Sequence, residues 1–190
     1  MKEMMSKLEA SAVSVNFLIE NLLNWVLNQK QALIAKKSSF NLLELIEKTC
    51  HELEAQYKAK RLSLNLHGFQ SDRVIITDEV MLGIVVRNIL SNAIKFSQED
   101  SEIIISYRED DRSRYIAIKD FGIGMDKDLL DKLKNGSTAS QNGTSNEKGT
   151  GLGLELSREF LRAIGGSYKI TSEKGKGTKV TLSIPKHESF

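Results

Sequence analysis

The spacing of apolar residues changes near residue 38 of this 190-residue chain, and the change separates two predicted parts. In the first part, apolar residues follow alternating steps of four and three, which is the seam of a heptad repeat. The seam consists of Leu8, Ala12, Val15, Ile19, Leu22, Val26, the polar Gln29 and Leu33. A flanking line of Leu18, Trp25 and Ala32 widens the apolar stripe. The pattern predicts a long helix over Met4–Lys37, either in a helical bundle or dimer or packed on its own domain.

The second part alternates between helical and strand spacing, which predicts a domain of mixed α and β structure. The predicted helices are Leu42 to about Lys60, Asp78 through Ala93, Lys127–Lys134 and Leu152–Ile164. The predicted strands are Leu62–Leu66, Val74–Ile76, Glu102–Arg108, Arg114–Asp120, Tyr168–Ser172 and Thr178–Ile184. Because Lys36-Lys37-Ser38-Ser39 is predicted to end the first helix, we expect two domains, at residues 1–38 and 39–190.

The composition excludes several classes of protein. Lys and Arg number 27 and Asp and Glu number 25, so the net charge of +2 is too small for a general nucleic-acid binder. No run of about 18 apolar residues is present, and the single cysteine, Cys50, cannot form an internal disulfide. We therefore expect a cytoplasmic chain that binds no nucleic acid, and a membrane anchor in a longer parent protein is compatible with this expectation.

The first of three polar clusters lies on the predicted helix that follows Asp78. Asn88, Asn92 and Lys95 are four and three residues apart, so they share one helical face. Amide oxygens are hard, neutral ligands that suit Mg²⁺, and a lysine ammonium suits phosphate oxygens. The face is therefore a candidate site for a metal-bound phosphate, and the alternative is an ordinary solvated helix face.

The other two clusters are rich in glycine. Asp120-Phe121-Gly122-Ile123-Gly124 follows a predicted strand, where an acidic residue can accept a hydrogen bond from the exocyclic amine of adenine and glycines let a planar base approach. Lys148-Gly149-Thr150-Gly151-Leu152-Gly153-Leu154 enters a predicted helix whose backbone N–H groups would bind an anion. The alternatives are a plain turn and close helix packing. The segment Asn135–Lys148 between them is long and polar, and this composition predicts a mobile lid.

In their order and spacing, these clusters resemble the adenine-nucleotide-binding domain of two-component sensor histidine kinases. Asn88–Ser97 is similar to the N box of that family, Asp120–Gly124 to its G1 box and Gly149–Gly153 to its G2 box. Gly175-Lys176-Gly177-Thr178 is similar to the last glycine box, so the resemblance covers roughly Ser39 to Lys186. It implies an α+β fold, a two-layer α/β sandwich of the Bergerat type with helices on one face of a mixed sheet.

The resemblance also assigns roles to individual residues. Asn88 and Asn92 would hold Mg²⁺, with Asn92 the more central, and Lys95 would reach the phosphates; these three are the expected catalytic residues. Asp120 would accept the adenine amino group. The other expected cofactor-binding residues, which would shape the base pocket or bind the triphosphate, are Gly122, Gly124, Lys148, Gly149, Gly151, Leu152, Gly153 and Thr178. The expected cofactors are therefore ATP and Mg²⁺.

One position separates two classes within this superfamily. In its ATP hydrolases, a glutamate four residues before the Mg²⁺-binding asparagine acts as general base, and Asn88 occupies that position here. A neutral amide cannot take a proton. The resemblance therefore implies transfer of the γ-phosphoryl group to a protein histidine rather than hydrolysis.

The acceptor histidine is the main departure from the family pattern. A histidine kinase carries it on the first helix of a helical hairpin, in a motif such as H-E-[LIV]-[RK]-x-P. Of His51, His67 and His187, only His51 begins like this motif, and the following Glu54-Ala55-Gln56 lacks the basic residue and the proline. The heptad helix resembles the second helix of the hairpin, so we expect a fragment of a longer kinase that does not label itself.

These observations predict the catalytic, ATP-binding core of a sensor histidine kinase in two-component signal transduction. The expected partners are ATP, the receiver domain of a response regulator and, in the intact protein, a second copy bound through the N-terminal helix. The alternative is a non-enzymatic ATP-sensing and dimerisation module of the same superfamily, which binds ATP without transferring phosphate.

Overall fold

A computed structural model describes residues 33–71, 73–134, 143–144 and 152–186. The chain divides into two units, Met1–Ile34 and Ala35–Phe190, and the elements described below lie in the second. The predicted heptad helix lies outside the described residues as far as residue 32. Residues 33–37, which the prediction included in that helix, carry no regular secondary structure, so the expected end of the helix at Lys37 is wrong.

Strands and helices are interspersed from Ser38 onward. The strands are β1 (Ser38–Asn41), β2 (Ser63–His67), β3 (Val74–Thr77), β4 (Glu102–Glu109), β5 (Ser113–Asp120), β6 (Ser167–Glu173) and β7 (Gly177–Pro185). The helices are α1 (Leu42–Glu52), α2 (Glu54–Ala59), α3 (Glu79–Phe96), α4 (Lys127–Lys134) and α5 (Leu152–Ala163). None of these helices is long and apolar enough to cross a lipid bilayer.

Five strands form one mixed sheet in the order β2-β4-β5-β7-β6. β2 and β4 are parallel, and the other neighbouring pairs are antiparallel. β4 and β5 form the predicted hairpin, in which the Asp110 carboxylate accepts hydrogen bonds from the backbone N–H groups of Arg112 and Ser113. β1 and β3 form a separate two-stranded antiparallel sheet. The predicted α+β class with a mixed sheet is therefore confirmed.

The core lies between one face of the five-stranded sheet and the helices. Along β4, the buried Ile103, Ile105 and Tyr107 alternate with more exposed residues, as expected of a strand with one covered face. α3 contacts β5 and α5. Its fully buried apolar residues include Leu82, Val85, Val86 and Leu90. Burying one Leu or Val side chain stabilises a fold by about 1.5–3 kcal/mol, so this layer fixes α3 on the sheet.

Two local features differ from the predicted elements. β1 lies where the first helix was expected to end, because Ser38–Asn41 pairs with β3 much later in the chain. The helix predicted over Leu42 to Lys60 is interrupted at Leu53, whose φ of −101° and ψ of 6° end α1. The Leu53 side chain is only 1% exposed, so its burial offsets the interruption of the helix.

Candidate functional site

The helix α3 carries the polar face that was predicted on it. It begins after Asp78, whose carboxylate accepts hydrogen bonds from the backbone N–H groups of Met81 at 2.9 Å and of Lys36 at 2.7 Å. Asn88 is 4% exposed, whereas Asn92 and Lys95 are only partly buried. The three predicted side chains therefore lie on one helix but in different surroundings.

Asn88 connects α3 to the start of α5. Its Nδ2 donates to the Gly153 carbonyl at 3.2 Å and to Ser157 Oγ at 3.3 Å. The buried Ser157 hydroxyl donates to the same carbonyl at 2.8 Å. The structure thus joins residues from two of the predicted clusters. Ser157 was not predicted, because one serine on an amphipathic helix gives no signal until its partner is known.

Asp120 ends β5 in a buried position, with 4% of its surface exposed. Its Oδ1 accepts hydrogen bonds from two backbone N–H groups, that of Gly122 at 2.9 Å and that of Thr178 at 3.1 Å. Burial raises the pKa of this carboxyl, and the backbone N–H groups of Gly122, Thr178 and Asp120 itself oppose that shift. Neither hydrogen bond uses Oδ2, so the second oxygen can accept from a ligand.

Glycines allow the turn after Asp120 to pack closely. A Cβ atom on Gly122 would overlap the carbonyl group of Phe96 at the end of α3. Gly177, with a φ of +89°, lies against the carbonyl group of Asp120 in the same way, and Gly124 has a φ of +61°. Backbone therefore packs directly on backbone, which holds the Asp120 turn between the end of α3 and the β6–β7 turn.

Thr178 is held by the neighbouring strand β6. Its hydroxyl lies 2.9 Å from Ser172 Oγ, opposite it in the β6–β7 register. Ser172 Oγ also donates to the Gly177 carbonyl and accepts from the N–H of Met125, both at 2.9 Å. Ser172 was not predicted as a site residue, because its role depends on the register of the two strands.

The glycine-rich cluster before α5 is only partly described. The predicted residues outside the described chain are Lys148, Gly149 and Gly151. Leu152 begins α5, and the backbone of Gly153 lies against Asn88, as given above. Of the predicted lid, Asn135–Lys148, the structure describes only Gly143 and Thr144, so the lid stays a prediction.

His51 has no contact with this arrangement that the structure describes. It lies on α1 with 84% of its side chain exposed, and its Nδ1 is 3.5 Å from a carboxylate oxygen of Glu54. In the described ranges, no three His, Cys, Asp or Glu side chains are grouped as a metal site. A metal ion at α3 would therefore need amide oxygens together with oxygens of a ligand, and this donor set suits Mg²⁺ bound with phosphates.

Comparisons with known proteins agree with the fold and show the family of the chain. The family model for histidine kinase-, DNA gyrase B- and HSP90-like ATPases matches residues 77–188. The aerobic respiration control sensor protein ArcB of Escherichia coli is 35% identical over 135 residues, which are 70% of this chain and 17% of ArcB. The sensor protein GacS of Pseudomonas syringae is 27% identical over 187 residues, which are 94% of this chain and 21% of GacS. The chain thus spans about a fifth of the length of these relatives.

Solved structures share the fold at lower sequence identity. The histidine kinase AdeS of Acinetobacter baumannii matches with a TM-score of 0.73 at 20% identity, over 93% of this chain and 81% of the AdeS chain. A nucleotide-free catalytic domain of the histidine kinase ThkA matches with a TM-score of 0.68 at 23% identity, over 80% of this chain and 96% of that domain. The fold expected from the resemblance is therefore confirmed.

Proposed function

We propose that this chain is the ATP-binding catalytic core of a sensor histidine kinase. The chain belongs to the family of histidine kinase-, DNA gyrase B- and HSP90-like ATPases. It would transfer the γ-phosphoryl group of Mg²⁺-bound ATP to a histidine. The observation that carries the proposal is the buried Asp120 carboxylate, whose Oδ1 accepts two backbone N–H groups while Oδ2 takes part in neither bond.

The Asp120 carboxylate supports a preference for adenine. An ionised carboxylate can only accept hydrogen bonds, and adenine presents an exocyclic amine that can donate one. Guanine has a carbonyl oxygen at the equivalent ring carbon, so two acceptors would face each other. Leaving a buried polar group mismatched in this way costs about 1–3 kcal/mol. Gly122 and Gly124 leave room for a planar ring next to the backbone.

The phosphates would bind along α3. Asn92 and Lys95 are partly exposed and lie three residues apart, so an amide oxygen and an ammonium can reach the same ligand. Asn92 would be the more central Mg²⁺ ligand. Asn88 would coordinate the same ion through its amide oxygen, since its Nδ2 donates to the Gly153 carbonyl. Backbone N–H groups in Lys148–Gly153, which includes Gly149, Gly151 and Leu152, would add contacts to the triphosphate.

Asn88 also supports transfer to a protein acceptor over hydrolysis. Its neutral amide cannot take a proton from water, and its Nδ2 is already bonded to Gly153 and Ser157. Phosphoryl transfer depends mainly on positioning and on stabilising charge, which Lys95 and a bound Mg²⁺ would supply without a general base. The residues of this chain would therefore orient ATP and leave the attacking group to the acceptor histidine.

Further parts of the proposal concern the longer protein. The heptad segment before residue 33 would belong to the second helix of a dimerisation hairpin, and the unit Ala35–Phe190 would be the catalytic domain. The intact protein would be a homodimer through that helix, and the receiver domain of a response regulator would take the phosphoryl group from the histidine. The catalytic domain would work in the cytoplasm, where ATP is available, with or without a membrane anchor elsewhere in the protein.

Binding and transfer are tested in two steps. Calorimetric titration with Mg²⁺-ATP and Mg²⁺-GTP should show GTP binding at least about tenfold more weakly. The chain is then incubated with γ-labelled ATP, with and without a hairpin that carries an acceptor histidine. Acid-labile, base-stable label should appear on the hairpin alone, and weakly, because separate chains lack the effective concentration of a tether. Equal titrations would contradict the adenine assignment, and ATP binding without label on a cognate hairpin would contradict the kinase activity.

A further inference from the structure

The hydroxyl group of Ser172 on β6 has three polar neighbours, which together use all of its hydrogen-bonding capacity. The backbone nitrogen of Met125, the Gly177 carbonyl oxygen and Thr178 Oγ1 each lie 2.9 Å from Ser172 Oγ. A serine hydroxyl has one proton to donate and two lone pairs that accept. The three contacts are therefore all hydrogen bonds only when Ser172 donates once and accepts twice.

The chemistry of the neighbours decides which contact uses the Ser172 proton. The Met125 N–H group can only donate and the Gly177 carbonyl can only accept, so the Ser172 proton lies on the bond to that carbonyl. One direction then remains for the contact with Thr178, whose hydroxyl donates its own proton to Ser172 Oγ. Ser172 thus fixes the direction in which the Thr178 hydroxyl donates.

Thr178 lies directly beside the buried Asp120. The two residues follow the paired Lys119 and Lys179 at the ends of β5 and β7, so their side chains are on the same face of the sheet. The Thr178 N–H also donates to Asp120 Oδ1 at 3.1 Å. Because Ser172 takes the Thr178 proton, Thr178 Oγ1 keeps only lone pairs for a further partner. Thr178 Oγ1 and Oδ2 of the ionised Asp120 are then two neighbouring acceptors, and neither can donate.

We propose that Ser172 is a positioning residue that sets the base specificity of the nucleotide site, because it keeps the Thr178 hydroxyl as an acceptor. The inference rests on the adenine binding proposed above. The exocyclic amine of adenine carries two N–H groups, and the two acceptors offer a partner to each. A base with a carbonyl oxygen at that ring carbon meets two acceptors and no donor. Without Ser172 Oγ, the Thr178 hydroxyl can rotate and donate to that oxygen.

The relative affinity for Mg²⁺-ATP and Mg²⁺-ITP tests the proposal. Inosine triphosphate differs from ATP only at carbon 6 of the purine, which carries a carbonyl oxygen, and at the adjoining nitrogen, which carries a proton. Calorimetry should show that the wild type binds ITP at least about tenfold more weakly than ATP. In Ser172→Ala this ratio should fall about three- to tenfold. A purely structural role would weaken both nucleotides alike, so an unchanged ratio would overturn the proposal.

A double-mutant cycle shows whether Ser172 acts through Thr178. Thr178→Val removes the hydroxyl and should itself lower the ratio, whereas Thr178→Ser keeps the hydroxyl and should retain the wild-type ratio. In the Thr178→Val background, Ser172→Ala should change the ratio by less than about twofold, because the group it acts on is absent. A further fall in the double variant would overturn the proposal, and so would a fall in Thr178→Ser equal to that in Thr178→Val.

Hydrogen exchange in the nucleotide-free chain reports directly on the Ser172 contacts. The Met125 N–H donates to Ser172 Oγ, so its exchange should become faster in Ser172→Ala and stay unchanged in Thr178→Val. Unchanged exchange in Ser172→Ala would contradict this bond, and with it the assigned direction of the Thr178 hydroxyl. Thr171→Val is the matched control, because Thr171 is an exposed threonine next to Ser172 on the other face of β6. It should leave both the exchange and the ratio unchanged.

The outcomes separate this inference from the proposed function. A wild-type chain that does not bind Mg²⁺-ATP would overturn both. A wild-type chain that prefers ATP, together with an unchanged ratio in Ser172→Ala, would overturn the role of Ser172 alone. If Ser172→Ala does not fold, Thr178→Val decides, and a wild-type ratio in that variant would overturn the proposal.

Discussion

The candidate site has one side around Asp120 and another around Asn88, and a different kind of contact holds each side in place. Around Asp120, backbone packs on backbone, with Gly122 against the Phe96 carbonyl group and Gly177 against the Asp120 carbonyl group. Around Asn88, side chains reach across from one helix to the next, and Lys60 does the same at the end of α3. A side chain can be shortened or exchanged at a graded cost, whereas a Cβ atom placed into a backbone contact forces the chain apart. The Asp120 side should therefore tolerate less change than the Asn88 side.

Gly122→Ala should have the largest effect on the free energy of unfolding. The new methyl group would overlap the Phe96 carbonyl, which belongs to the helix backbone and cannot move like a flexible side chain. We expect a loss of more than about 3 kcal/mol, measured by urea unfolding, and loss of ATP binding. Gly175→Ala is the matched control, because its φ is +78° but no atom lies within 4 Å of the new Cβ. It should lose only about 1 kcal/mol from backbone strain, and equal losses in the two variants would contradict the comparison.

Asp120→Asn should weaken ATP binding by about tenfold or more while the fold is kept. The amide retains an oxygen for the N–H groups of Gly122 and Thr178, but it places a donor where the carboxylate offered its second acceptor. A donor facing the adenine amine leaves both groups unpaired, at about 1–3 kcal/mol. Calorimetric titration with Mg²⁺-ATP measures the effect, and an affinity within twofold of the wild type would contradict the role given to Oδ2.

The same variant should change how stability depends on pH. Burial raises the pKa of Asp120 above its ordinary value of 3.8, so the native state keeps a proton that the unfolded chain releases. This contribution to stability is complete below 3.8 and is lost as the pH rises through the raised pKa of the folded state. Asp120→Asn has no such proton, so its unfolding free energy should decline less than that of the wild type above pH 3.8. Urea unfolding at pH values from about 3.5 to about 6 gives both profiles, and parallel profiles would show that the pKa is not raised.

Asn88→Ala and Asn92→Ala should separate stability from binding on the other side of the site. Asn88→Ala removes a buried donor to Gly153 and Ser157, so the free energy of unfolding should fall by about 1–3 kcal/mol. The second removes a partly exposed amide, so stability should change by less than about 0.5 kcal/mol. Asn92→Ala should nevertheless weaken Mg²⁺-dependent ATP binding by about tenfold. Urea unfolding and calorimetry measure the two quantities, and the reverse pattern would exchange the roles of the two asparagines.

His51→Ala should have the smallest effect. The side chain is 84% exposed and has no described contact with the α3 face, so stability should change by less than about 0.5 kcal/mol. ATP affinity and the label on an added hairpin should equal those of the wild type. Label that appeared on the wild-type chain alone and disappeared in His51→Ala would identify His51 as an acceptor.

Apart from the interruption at Leu53, the residues themselves determined which elements form after residue 41 and where the clusters fall on the described ones. The apolar spacing of Glu79–Phe96 and the alternation along β4 and β5 follow from the geometry of helices and strands, which does not depend on distant contacts. Asp120 at a strand end and the glycines after it are compatible with a plain turn, and the predicted adenine role rests on the order and spacing of all the clusters together. The identity of the glycines indicated a close approach, but it did not indicate that the carbonyl groups of Phe96 and Asp120 are the groups approached.

Only the tertiary structure decided the contacts that link these elements. Ser38–Asn41 is a strand because β3 lies beside it, and Ser157 and Ser172 matter because Asn88 and Thr178 face them. Lys60 follows helix α2 in a run of basic residues typical of a solvated surface. It is buried because carbonyl groups 34 and 35 residues later and a hydroxyl 84 residues later converge on it. Contacts over such separations form when the elements pack, so they cannot be predicted from the spacing of neighbouring residues.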